Sequence, residues 1–81
     1  MEVEVRCYSG FKGEERPVSF TCAGRTLEVL EVERSWREED RSAPGVRLKA
    51  CFRVRADDGK VYVLSRDDRD GSWTLEGMTG A

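Results

Sequence analysis

Val46, Leu48, Ala50, Phe52, Val54 and Ala56 alternate without interruption with Arg47, Lys49, Cys51, Arg53 and Arg55. A period of two sustained this long is that of a strand with one buried face and one wet face. Asp57-Asp58-Gly59-Lys60 follows and is a strong hairpin signal, with Asp58-Gly59 as its two central residues and residues 61–65 as the returning strand. That loop pairs Ala56 with Val61, Arg55 with Tyr62, Val54 with Val63 and Arg53 with Leu64. Tyr62 and Leu64 are then expected beside the arginines, with apolar bulk on both faces. Such a hairpin suits a sheet coiled on itself better than a flat one.

The rest of the chain has the same texture. Val3, Val5 and Cys7 alternate with charged residues, residues 9–17 read as a loop, and Val18, Phe20 and Cys22 alternate again. Ala23-Gly24-Arg25 supplies a turn with Gly at a left-handed position. In the strand that follows, Leu27 and Val29 share one parity while Leu30 and Val32 share the other, the mark of a β-bulge or a sheet corner. Residues 33–43 are nearly all charged around Trp36 and fit a strand end, one helical turn or an open loop; Pro44-Gly45 closes them. Arg66 to Gly71 reads as a turn, residues 72–76 as the last strand, and residues 78–81 as a frayed tail. The expectation is one all-β domain over residues 1–81, with residues 1–16 an N-terminal strand and loop. Its architecture is a small, strongly bent antiparallel sheet or a partly closed barrel of five to six strands.

Composition narrows the chemistry. The 81 residues carry a formal charge of −2 and contain no His, so the usual neutral-pH general base, metal ligand and nucleophile activator is missing. Neither a cleft with paired carboxylates nor a base for a Ser or Thr nucleophile is evident, so the chain is not expected to be an enzyme or to hold a cofactor. Asp67, Asp68, Asp70 and Gly71 imitate a calcium loop, but the matching first and twelfth positions are Arg66 and Gly77, and the metal reading fails. The longest apolar run, Val61 to Leu64, is far too short for a membrane span. Cys7, Cys22 and Cys51 are odd in number and lack CxxC spacing, which points to reduced thiols packed as small hydrophobes in a cytoplasmic protein.

What remains is a surface. Arg47, Lys49, Arg53 and Arg55 lie on one strand face in a segment without acids, with Tyr62 expected alongside. Cations that follow phosphates and rings that stack on bases are the equipment of single-stranded nucleic-acid binders. Glu28, Glu31 and Glu33 on the preceding strand offer the opposite outcome, cross-strand ion pairs that neutralise the row. Trp36 heads an acidic run and is either a cap on the core or an exposed interface anchor. Gly10-Phe11-Lys12-Gly13 matches a bare GxxG but lacks the helices of that nucleic-acid clamp, and Phe11 is a loop aromatic. The expected role is a non-enzymatic interaction module, with Arg47, Lys49, Arg53, Arg55, Tyr62 and Trp36 as candidate contacts. Its partner would be single-stranded nucleic acid or a DNA-repair protein; the alternative is a structural or dimerising domain with no ligand of its own.

Arg16-Pro17, Phe20, Gly24, Val29, Val32, Trp36-Arg37-Glu38, Phe52-Arg53-Val54-Arg55, Asp57-Asp58-Gly59, Val61-Tyr62, Gly71, Trp73 and Leu75 together resemble a family of small bacterial β domains of uncharacterised function. Members of that family occur as short free-standing proteins and as the C-terminal tail of a Y-family-polymerase-like protein of damage-induced mutagenesis. The resemblance covers most of residues 16–76 and leaves residues 1–15 outside it. Where the family has an aromatic pair before Arg-Val-Arg, this chain has Cys51-Phe52. The resemblance implies an accessory module near DNA repair and supplies no catalytic residues.

Overall fold

The computed structural model describes residues 2–9, 15–40, 45 and 47–79. Gly10 to Gly13, Phe11 among them, lie outside the described residues, as do Pro44 and Val46. Six strands, β1 (Glu4–Ser9), β2 (Glu15–Cys22), β3 (Arg25–Asp40), β4 (Arg47–Ala56), β5 (Val61–Asp67) and β6 (Trp73–Thr79), form one antiparallel meander in chain order. The sheet curls strongly into a half-barrel. Its two ends meet where Glu2 bridges Thr74 and the Val3 N–H reaches the Trp73 carbonyl at 3.3 Å. The charged stretch around Trp36 is strand as far as Asp40, and the last strand takes in Met78 and Thr79, beyond the end expected for it.

The curl follows from β3. Arg25 to Glu28 pair with β2, whereas from Val29 onward the strand pairs with β4. Register shifts between Val29 and Glu31 and between Val32 and Arg34 bend the strand as it changes neighbour. The parity switch in the sequence marks this corner. The first bulge keeps Leu27, Val29 and Val32 toward the core and leaves Leu30 outside, 60% exposed.

Phe20, Leu27, Val54, Ala56, Tyr62 and Leu64 form the core, with Val3, Val5, Phe52, Trp73 and Leu75 packed against it. The Phe20 and Tyr62 rings meet edge to face at 5.0 Å. Tyr62 stands in the core because the β4–β5 hairpin has a three-residue loop. The Gly59 N–H bonds to the Ala56 carbonyl and the Ala56 N–H to that of Lys60, each at 3.0 Å, with Gly59 left-handed at φ 82°. Asp58 Oδ1 also accepts the Lys60 N–H, so a type I turn followed by a glycine bulge is preferred over a two-residue loop. The register therefore corrects the expected one by a residue: Val54 faces Tyr62, Phe52 faces Leu64, and Val61 and Val63 face Arg55 and Arg53.

The β2–β3 turn puts both Ala23 (φ 53°) and Gly24 (φ 78°) in the left-handed region. An alanine there clashes through its Cβ, and asparagine tolerates the conformation better. Ala23→Asn is expected to raise stability by about 0.5–1 kcal/mol, seen as a higher urea midpoint at unchanged slope. An equal or lower midpoint would contradict this turn geometry.

Candidate functional site

The basic row on the convex face is charge-matched. Arg55 Nη2 lies 3.1 Å from Glu31 Oε2 and Arg53 Nε lies 3.2 Å from Glu33 Oε1. Lys49 Nζ lies 3.3 Å from Glu76 Oε1 and 3.8 Å from Glu38 Oε2. Arg47 opens β4 in register with Asp40. Glu31 and Glu33 supply carboxylates as their parity allowed, whereas Glu28 contributes its backbone carbonyl, which accepts the Asp57 N–H at 2.9 Å. Tyr62 does not join the row. It is 5% exposed, with its hydroxyl 2.5 Å from Asp58 Oδ2. Trp36 is half-buried, opposite Cys51, with the Arg34 guanidinium 5.8 Å from its ring centroid.

Cys51, 1% exposed, donates its thiol to Glu38 Oε2 at 3.3 Å. Burial, reinforced by that carboxylate, pushes the thiol up to about 12, so it stays protonated and inert. Ser65 donates its hydroxyl to Glu76 Oε1 at 2.7 Å, and this bond, with Lys49 beside it, holds the Glu76 carboxyl below its usual range. Burial likewise pushes Tyr62 up to about 12, helped by Asp58, whose own carboxyl is lowered by the tyrosine hydroxyl.

A different arrangement lies on the concave face, past the part of the sheet covered by β1 and β2. Arg37 of β3 faces Ala50 of β4, Ala50 faces Arg66 of β5, and Arg66 faces Trp73 of β6. In the next row Ser35, Phe52, Leu64 and Leu75 stand opposite one another. Ala50 is small, so two guanidinium-bearing strands flank a shallow floor. Phe52 and Trp73 close one side, their rings 5.6 Å apart at 38°. Arg16 comes in from β2, and the groove encloses about 600 Å³. Three arginines and three aromatic residues (Trp36, Phe52 and Trp73) line it, and no carboxylate does among the described residues. Asp68 in the β5–β6 turn reaches two of the arginines: its Oδ2 is 2.6 Å from Arg37 Nη1 and its Oδ1 is 3.7 Å from Arg66 Nη2.

A family model described as "Domain of unknown function (DUF6504)" matches residues 2–79. The chain belongs to this family. No curated protein and no solved structure matches it. The match takes in the N-terminal strand, which the sequence resemblance had left outside.

In this DUF6504 domain the groove is lined by Arg16, Trp36, Arg37, Phe52, Arg66 and Trp73, and of these only Trp36 was a candidate contact from the sequence patterns. Arg37 sits in a charged run and Arg66 was assigned to a turn; only the register of four neighbouring strands aligns them. The one signal for them was weak, the continuous apolar parity of Ala50 and Phe52 running on past the covered core.

Cys51 and Tyr62 each hold a proton more tightly when folded, about 12 against ordinary values of 9.0 and 10.0. A raised folded pKa contributes stability that is complete below the unfolded value and is lost as pH climbs through the folded one. The urea midpoint of the domain is expected to hold to about pH 9 and fall steadily toward pH 12. Native Cys51 is expected to resist a thiol reagent at pH 8 and to react once urea unfolds the chain. A flat alkaline profile or prompt native labelling of Cys51 would contradict these assignments.

Proposed function

We propose that this DUF6504 domain is a non-enzymatic, cytoplasmic interaction module that holds single-stranded nucleic acid in the concave groove. The observation that carries the reading is the cluster of Arg16, Arg37 and Arg66 around Phe52 and Trp73, reached by the Asp68 carboxylate from the β5–β6 turn, in a chain that is acidic overall. Arginine forks bind phosphate oxygens bidentately, and stacking a base on an aromatic side chain contributes about 1–3 kcal/mol. An unpaired strand can turn its bases inward to such rings, which a duplex cannot do without melting. The convex row is a secondary electrostatic feature, because each cation with a described side chain already has a glutamate partner. The resemblance to tails of Y-family-polymerase-like proteins supports a place beside bacterial DNA repair. Among the described residues no helix is long and apolar enough to cross a membrane.

One observation favours a second reading, a protein partner such as a repair protein or another copy of this chain. Tyr8, Val18 and Leu30, 64%, 42% and 60% exposed, cluster where β2 parts from β3. Light scattering across a concentration series tests the self-association branch.

Fluorescence anisotropy with a labelled oligothymidylate, read at about 50 and about 200 mM salt, tests the main reading. Binding is expected to weaken with salt at a slope of about −0.7 per phosphate engaged. Arg37→Ala, at a side chain 65% exposed, is expected to lower affinity about tenfold, and Arg53→Ala or Arg55→Ala less than about threefold. No binding at the lower salt, or a larger loss from the convex variants, would overturn the assignment.

A further inference from the structure

The β5–β6 turn contains three aspartates that differ in use. Asp67 Oδ1 accepts the Arg69 N–H at 2.8 Å, and Asp70 Oδ1 accepts the Ser72 N–H at 2.9 Å. Both brace their own turn in the ordinary way of Asp in loops. Asp68 does otherwise. Its backbone N–H bonds to the Leu48 carbonyl at 3.0 Å, which draws the turn over the start of β4, and its carboxylate reaches out to Arg37 and Arg66. Each carboxylate oxygen takes a different guanidinium, one at 2.6 Å and one at 3.7 Å. These two arginines flank Ala50 on the groove floor. An oxyanion bridging two guanidiniums is also the geometry in which arginine pairs hold a phosphate.

We infer that Asp68 is a built-in anion competitor: it occupies the phosphate position between Arg37 and Arg66, and a ligand phosphate must displace it. The inference rests on the nucleic-acid reading above and names the residue that sets selectivity at that site. Exchanging a carboxylate for one phosphate on the same donors replaces one ion pair by another, so an isolated phosphate gains little. A strand that also stacks bases on Phe52 or Trp73 and reaches Arg16 has the surplus to open the clasp. Asp68 thereby favours polymeric ligands over free phosphate. The bridge is open to solvent on its Arg37 side, with side-chain exposure of 65% at Arg37 against 27% at Asp68 and 26% at Arg66.

Asp68→Asn keeps the side chain's shape and removes the charge. It is expected to bind the labelled oligothymidylate about five- to tenfold more tightly at about 50 mM salt. The log–log salt slope is expected to steepen by about 0.7, the increment for one more phosphate engaged. Asp57→Asn, which removes the same charge at the far hairpin, is expected to leave the slope unchanged. Asp68→Ser, which also lacks the charge, is expected to repeat the Asn result if either variant alone is poorly folded by circular dichroism. Wild-type binding with Asp68→Asn unchanged or weaker would overturn the inference and make Asp68 a clasp that orients the arginines. Failure of the wild type and all variants to bind would instead overturn the nucleic-acid reading, and this inference with it.

Discussion

Strand β3 serves two neighbours in succession, and the rest of the molecule depends on that division. Its first four residues bond to β2 and the remainder to β4, with bulges at the change-over. A strand that bends in this way turns the β1–β2 hairpin across the concave face and lets Phe20 and Leu27 meet Val54, Tyr62 and Leu64. Each buried side chain of that size contributes about 1.5–3 kcal/mol, which makes closure at this end of the sheet strongly favourable. The same bend limits how far the cover reaches. β4 to β6 run on beyond it, and their inward positions there carry Ala50, Phe52, Arg66 and Trp73, with Arg16 of β2 reaching the same groove.

Charge is distributed to match. On the convex face Arg55, Arg53 and Lys49 have glutamate partners, and pairs half open to water contribute about 0–1 kcal/mol each. They offset charge on that face without adding much stability. On the concave face Arg37 and Arg66 flank Ala50, and the Asp68 carboxylate of the β5–β6 turn reaches both. Like charges gathered on neighbouring strands cost free energy, and Asp68 offsets part of that cost.

The fold class was legible because strand periodicity and turn chemistry are local properties. The alternation from Leu48 to Ala56, the Ala23-Gly24 turn and the parity change at Val29 and Leu30 each correspond to a feature of the half-barrel. What local pattern could not decide was the length of one loop. Asp58-Gly59 suits either a two- or a three-residue hairpin, and the glycine bulge that forms moves Tyr62 from the basic face into the core. The ion pairing of Arg53 and Arg55 was one of two outcomes the sequence allowed, decided by which glutamates the bulged β3 brings opposite them. The groove was scarcely legible, because Arg37, Ala50, Arg66 and Trp73 lie far apart in the chain and become a row only through three independent strand registers.

The central claim is that the concave row, and not the convex one, is where this domain meets a strand of nucleic acid. A two-dimensional amide and indole NMR titration with a short oligothymidylate tests it residue by residue. Concentration-dependent shifts are expected at Ser35, Arg37, Ala50, Phe52, Arg66 and the Trp73 indole, with Arg53, Arg55, Val61 and Val63 unmoved. Shifts confined to the latter group, or a spectrum that oligonucleotide leaves unchanged, would contradict it.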